Sequence, residues 1–464
     1  MGRLCVITMA ATGMSLWACG MGCSQPPCPP VSHALADGLC ITWAERLIDD
    51  SHGGIFVGAD GFAMVDLDGD GREDIISVHE DSAYVRLHFA DGSTTRYQSV
   101  TLASGPDEAG AVEDVAAGDL DRDGFVDLVT ANEAGYLMVF RNPGASCRDG
   151  SAWFRCQPAA SKESGSWIRV KVADVDDDGW PDILAANKGG TDFCWFRSEG
   201  DPFIGCRWTK FIIGRTNGEP INIVPHDVDE DGDVDAIVGS RKAENVVKWL
   251  ENPGPAILRS GQGGPWPEHL VTQHGNGFNV VLRDISGDGR KDLVLAIDES
   301  GVGWAEVPDV AQIRHVLEWK TFSIGCVAPD SATGIGVADV NGDGRPDVIV
   351  GGYSGGPRHH DPPSIDPNIA SLGRMAWFQH PEDPRGRWVR HDISRRIRGM
   401  FDHFEARDLN GDGRVDWVYT RGNSGALDGV FWIEQCRRPR PAVAFVPART
   451  SDSLETPIPD CSAP

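Results

Sequence analysis

β-forming residues in this chain gather in short runs, and the runs come in groups of four. In one stretch they cover 168–175, 182–187, 193–197 and 208–213; in the next, 222–228, 235–239, 246–251 and 267–272. Short runs rich in β-branched and aromatic residues, set between Gly- and Asp-rich turns, predict strands rather than helices. An acidic turn of fixed form, Asp-x-(Asp/Asn/Ser)-x-Asp-Gly-x-x-Asp, separates the first run of each group from the second. It opens at Asp66, Asp119, Asp174, Asp227, Asp284, Asp339 and Asp408, in steps of 53, 55, 53, 57, 55 and 69 residues. A period of that size is one supersecondary unit copied along the chain. Four antiparallel strands per copy, repeated around an axis, predict an all-β fold: a seven-bladed β-propeller whose radial closure protects its sheet edges.

The seventh group lacks a fourth run. After Val430-Phe431-Trp432-Ile433-Glu434-Gln435 the chain turns Pro-rich. The missing piece is at the other end, where residues 41–48 match the fourth-run pattern of 208–212 and 388–393. The N-terminal strand is therefore expected to complete blade seven. Third runs read aromatic then polar, as in Phe140-Arg141-Asn142-Pro143-Gly144 and Trp249-Leu250-Glu251-Asn252-Pro253-Gly254. Those aromatics are expected to pack as wedges between blades.

The turn names a ligand class. Side-chain oxygens at positions 1, 3, 5 and 9, with a backbone carbonyl at position 7 and an obligatory Gly at position 6, suit a hard cation such as Ca²⁺. The expected sets are Asp66, Asp68, Asp70, Arg72 and Asp74; Asp119, Asp121, Asp123, Phe125 and Asp127; and Asp174, Asp176, Asp178, Trp180 and Asp182. They continue with Asp227, Asp229, Asp231, Asp233 and Asp235; Asp284, Ser286, Asp288, Arg290 and Asp292; Asp339, Asn341, Asp343, Arg345 and Asp347; and Asp408, Asn410, Asp412, Arg414 and Asp416. Up to seven structural Ca²⁺ ions follow. The neutral Ser286, Asn341 and Asn410 lower the charge of the last three sites and should weaken them. An EF-hand is excluded, because Ser77, Thr130 and Ala185 stand where its closing Glu belongs. The net charge of −27 is then mostly site charge, not an acidic tract. No basic stripe points to nucleic acid.

The turns, the period and the Asn-Pro-Gly corners resemble the FG-GAP/VCBS repeat family, which includes the calcium-loaded propeller at the N-terminus of integrin α chains. The resemblance covers 40–436 and implies a β-propeller. Family members serve as adhesion or binding modules, and some related propellers act as lyases or dehydratases on sugars.

Outside the ring, residues 1–22 read as a secretory leader, with Leu16-Trp17-Ala18-Cys19 similar to a lipoprotein processing box and Cys19 as its lipidation site. Residues 23–39 read as a tether and 437–464 as a Pro-rich tail. A secreted or lipid-anchored monomer is expected. The cysteines suit an oxidising compartment: Cys147 with Cys156, Cys194 with Cys206, and Cys40 with Cys436 as a staple on the ring closure. The pairing of Cys23, Cys28, Cys326 and Cys461 stays open.

Function is expected on the face opposite the metal turns. His274 and Asn276, the insertion with His359 and His360, and the segment with Arg395, Arg396, Arg398 and His403 supply its most varied chemistry. Two readings follow: a non-enzymatic module binding a glycan or extracellular protein, or a carbohydrate lyase or dehydratase using those groups as base and charge-neutralising cations. No Ser/His/Asp nucleophile motif, phosphate loop or HExxH helix supports a hydrolase or nucleotide enzyme.

Overall fold

Each acidic turn ends where a strand begins, because position 9 is the first residue of a strand in all seven copies. The computed structural model describes residues 33–35, 37–92, 95–162, 165–354, 372–397, 399–439 and 443–449. Blade three runs Trp167–Ala173, Asp182–Asn187, Asp192–Ser198 and Trp208–Arg215, antiparallel and in chain order; blade four runs Glu219–His226, Asp235–Arg241, Val246–Leu250 and Glu268–Thr272. Seven such sheets follow one another. Their first strands contact in succession, so these line the axis and the fourth strands form the rim.

The ring closes as the pattern implied. Leu39–Asp50 pairs antiparallel with Gly429–Pro439 as the outer strand of blade seven. Both flanks add to this edge: His33–Ala34 pairs antiparallel and Phe445–Val446 parallel with the same strand. The Trp43 amide donates to the Ala444 carbonyl at 2.8 Å, and Phe445 is buried. A long outer strand is a hazard if left open, and these two short segments cover it.

The core is divided rather than central. Buried apolar side chains fall into seven clusters, one at each blade interface. Third-strand tryptophans anchor them. Trp195, Trp249, Trp304 and Trp377 are fully buried, and each stacks on its cross-strand partner in the outer strand: Phe211 at 4.9 Å, His269 at 4.2 Å, Phe322 at 4.8 Å and His391 at 4.3 Å. The expected wedge role is what these aromatics perform.

The cysteine pairing differs from expectation. The disulfide among the described residues joins Cys156, at the end of blade two's outer strand, to Cys206 in the loop before blade three's outer strand. It therefore links two blades instead of closing a loop within one. Cys147 is a buried thiol turned into the interface between blades one and two, and Cys194 a buried thiol between blades two and three. Cys436 stands opposite Thr42, and Cys40 opposite Arg438. The expected staple is two residues out of register, and Cys436 remains a thiol. Cys19, Cys23, Cys28 and Cys461 lie outside the described residues, as do the leader and most of the tail.

Candidate functional site

The acidic turns are organised by their own first residue. Asp66 accepts the amides of Gly69 (2.8 Å) and Asp70 (3.1 Å) on Oδ1 and that of Gly71 (2.8 Å) on Oδ2. Asp119, Asp174, Asp339 and Asp408 repeat the pattern at positions 5 and 6. The position 6 glycines all take positive φ, from 78° at Gly413 to 98° at Gly232, where a Cβ would strain the backbone. This turns the carboxylates of positions 1 and 3 toward one centre, joined by position 5 in the first turn and by position 9 in the next three.

Four turns bring three carboxylates within 4.8 Å of one another: Asp66, Asp68 and Asp70; Asp119, Asp121 and Asp127; Asp174, Asp176 and Asp182; and Asp227, Asp229 and Asp235. Several of these oxygens are buried without a hydrogen-bond donor, namely Asp121 Oδ2, both oxygens of Asp176, Asp227 Oδ1 and Asp229 Oδ2. Guanidinium groups stand nearby, with Arg141 Nε 2.5 Å from Asp121 and Arg197 Nε 2.7 Å from Asp176. Arg197 Nε–H is not aimed at the oxygen, so it supplies charge and no hydrogen bond. Orphaned buried carboxylates in an all-oxygen set fit a hard divalent cation. The last three turns carry Ser286, Asn341 and Asn410 at position 3 and form no such three-acid group among the described residues. Asn341 Nδ2 instead donates to Asp343 at 3.0 Å.

Position 9 has a second task. Asp127 Oδ2 accepts the amide of Leu120 at 2.9 Å, and its Oδ1 that of Asn142 at 2.8 Å. Asp74, Asp182, Asp235, Asp347 and Asp416 bind the turn and the end of the third strand in the same way. Burial pushes their carboxyls up, Asp182 and Asp235 to about 8 and Asp127 to about 7; neighbouring aspartates add to the rise, and the amide bonds oppose it.

The Asn-Pro-Gly corner locks one turn to the previous blade. Asn142 Nδ2 donates at 3.0 Å to the Leu67 carbonyl of blade one's turn and at 3.0 Å to Val126 in its own. Asn252 does the same to Val175 (2.9 Å) and Val234 (3.0 Å). Gln435 reaches Val340 at 2.9 Å, and His380 pairs with the Ile285 carbonyl at 3.1 Å.

On the opposite face a cavity of about 270 Å³ sits over the axis and draws lining residues from every blade. Asp60 and Glu80 come from blade one, Glu113 from blade two, Ile168 and Lys188 from blade three and Arg241 from blade four. Phe278 and Glu299 follow from blade five, Thr333 and Tyr353 from blade six, and Met400, Asp402 and Asn423 from blade seven. Acids crowd the side formed by blades one, two and seven. Burial and the neighbouring carboxylates push Asp60 and Glu113 well above the usual carboxylate range. Lys188 pairs with Glu133 and lies 3.6 Å from Glu113; Arg241 is held by Glu219 at 3.0 Å.

The residues expected to form a site on this face are not brought together. Arg395 and Arg396 are in the outer strand Val389–Ile397 of blade six, not in a ligand-facing loop. Arg395 is buried in a two-pronged pair with Asp330, both contacts at 2.8 Å, and Arg396 lies over the Phe445 ring at 5.3 Å. His403 bonds Glu405 at 2.8 Å and packs against Phe62. His274 is exposed, and its carbonyl accepts the Asp298 amide. Asn276 is the second residue of the inner strand of blade five, Gly275–Arg283. His359, His360 and Arg398 lie outside the described residues.

The pocket residues were missed because each stands alone in its own stretch, with no motif around it. The repeat offset would have found most of them. Counting 14 residues from the first Asp of each turn gives Glu80, Glu133, Lys188, Arg241, Asp298, Tyr353 and Gly422; counting back six gives Asp60, Glu113, Ile168, Ile221, Phe278, Thr333 and Asp402.

Comparison with known proteins agrees with this architecture. A family model described as FG-GAP-like repeat matches residues 66–130, 119–185, 174–238 and 227–295, and one described as FG-GAP repeat matches 331–361. No curated protein matches the chain. Among solved structures, YCF48 from Cyanidioschyzon merolae is 10% identical with a TM-score of 0.49, covering 84% of this chain and 98% of its own. BBS1N, solved in complex with ARL6DN, is 10% identical with a TM-score of 0.47, covering 87% and 99%. Neither likeness carries an inference.

Proposed function

This chain belongs to the FG-GAP repeat family, and on that premise we propose that it is a Ca²⁺-stabilised binding module that takes its ligand in the axial pocket. The observation that carries this reading is the pocket itself, which draws on all seven blades and lies on the face away from the metal turns. Axial pockets of this kind are pre-formed by the ring and need no loop closure to present their groups. The ions belong in the turns, where Asp119, Asp174 and Asp227 and their partners would hold them.

The pocket chemistry favours the end of a neutral or amino-bearing glycan. Carboxylates accept hydrogen bonds from hydroxyl or amino groups, and the rings of Phe278 and Tyr353 line the same cavity. An acidic glycan is disfavoured, because Arg395 is spent on Asp330. The same placement weakens the lyase reading, which needs a base and a free cation in one place. An extracytoplasmic location accords with the Cys156–Cys206 bridge; the leader and Cys19 anchor remain part of the proposal.

A glycan array followed by titration calorimetry tests this. Phe278→Ala should weaken the bound glycan about tenfold, the loss of one aromatic contact of about 1.4 kcal/mol. Equal affinity in the variant, or release of unsaturated sugar products absorbing in the ultraviolet, would overturn the reading.

A further inference from the structure

We propose that Asp60, Glu80 and Glu113, with Asp402 beside them, form a divalent-cation site at the axis of the ring, distinct from the acidic turns and on the opposite face. Oxygen atoms of Asp60, Glu80 and Glu113 lie within 4.8 Å of one another. Ligands of one Ca²⁺ at roughly 2.3–2.6 Å span at most about that separation. The cluster alone would be only a group of acids. A second observation points to a cation: Asp60 is 3% exposed and Asp402 4% exposed, and Asp60 Oδ2 and Asp402 Oδ1 are buried without a hydrogen-bond donor.

The charged groups acting most strongly on Asp60 are Asp402, Glu113 and Glu80, all of them acids. The nearby cation, Lys188, pairs with Glu133 and, at 3.6 Å, with Glu113; among the described residues no ion pair reaches Asp60. A buried carboxylate facing others without a counter-charge costs several kcal/mol unless it is protonated or metal-bound. The donor set is oxygen only, with neither His nor Cys, so the ion is hard: Ca²⁺, Mg²⁺ or Mn²⁺ in preference to Zn²⁺. Blades one and two supply the three convergent ligands, and Asp402, from the segment before blade seven's inner strand, borders them in the same cavity. The ion therefore sits beside the joint between blades one and two. The open side of the pocket leaves coordination positions for hydroxyl groups; that use rests on the binding reading above, whereas the ion itself does not.

Equilibrium dialysis of the whole protein against radiolabelled Ca²⁺ tests the site with the metal alone. The double variant Asp60→Asn, Glu113→Gln keeps the shapes and removes the charge. It should hold one equivalent fewer than the wild type at saturation, with the circular dichroism spectrum unchanged. An equal count overturns the proposal and leaves Asp60 and Asp402 as a proton-sharing pair. Should the double variant not fold, Glu80→Gln, at the half-buried edge, must weaken one equivalent about tenfold or more; unchanged binding overturns the proposal. Lost glycan binding with an unaltered calcium count would remove this ion and leave the binding module standing.

Discussion

Ser77, His79 and His88 form a buried chain of hydrogen bonds in blade one. Ser77 Oγ lies 3.0 Å from His79 Nε2 and 2.8 Å from His88 Nε2. Asp49, from the strand that closes the ring, faces His88 at 3.9 Å and binds Arg86 Nε at 2.5 Å. Burial holds both imidazoles neutral, pushing His79 down to about 3 and His88 to about 4; Arg86 adds to the effect and Asp49 opposes it. An unfolded histidine takes its proton at about 6.5. As pH falls from about 6.5 to 4, the unfolded chain gains protons that the fold refuses, so the stability these residues confer above 6.5 is lost. Melting at pH 7 and pH 5 should show this as an acid-side drop that is smaller in His88→Gln than in the wild type. An equal drop in both would show that the ring is not held neutral. The turn ligands were legible as residues because seven copies share one register. This histidine chain was not, since His88 joins Ser77 and His79 only across strands.

Elements were the most legible level. Strand runs bounded by acidic turns match the observed strands to within a few residues; the expected 182–187 is the observed Asp182–Asn187. The closing strand could be recognised because Trp43 occupies blade seven's outer strand, opposite Gln435, in the way that Trp208 occupies blade three's, opposite Ser198. Disulfide pairing was the weak point. Spacing placed Cys206 correctly between third and outer strands, while Cys156 ends its outer strand instead, and spacing within a blade says nothing about which neighbouring blade a side chain faces. The observed bridge spans a separation of 50 residues, and in the chain-entropy model closing such a loop contributes about 4 kcal/mol. Cys156→Ser should therefore lower the melting temperature, and adding a reductant should lower the wild type to match. If reductant leaves the wild-type melt unmoved, the two cysteines are not joined.

At the scale of the whole molecule, two rings of charge sit at opposite ends of one axis. The turn ring repeats almost unchanged around seven blades, and so it was visible in the sequence. The pocket ring varies from blade to blade, running Glu80, Glu113, Lys188, Arg241, Phe278 and Tyr353, and that variation makes it a candidate for recognition. It went unread because no local motif marks it; only the repeat offset does. The turn ring bears on stability. Asn142 and Asn252 tie each turn's backbone to the turn before it, so an ion that fixes one turn also stiffens the joint to its neighbour.

A cation that binds only the folded ring stabilises it, by about 2.7 kcal/mol per site at a hundred times the dissociation constant. The direct measurement is a thermal melt in calcium, in EDTA, and in calcium with added NaCl. Chelation should lower the melting temperature by far more than the added salt does, and restored Ca²⁺ should bring it back. Superimposable melts in calcium and EDTA would contradict the claim that divalent ions hold these acidic turns together.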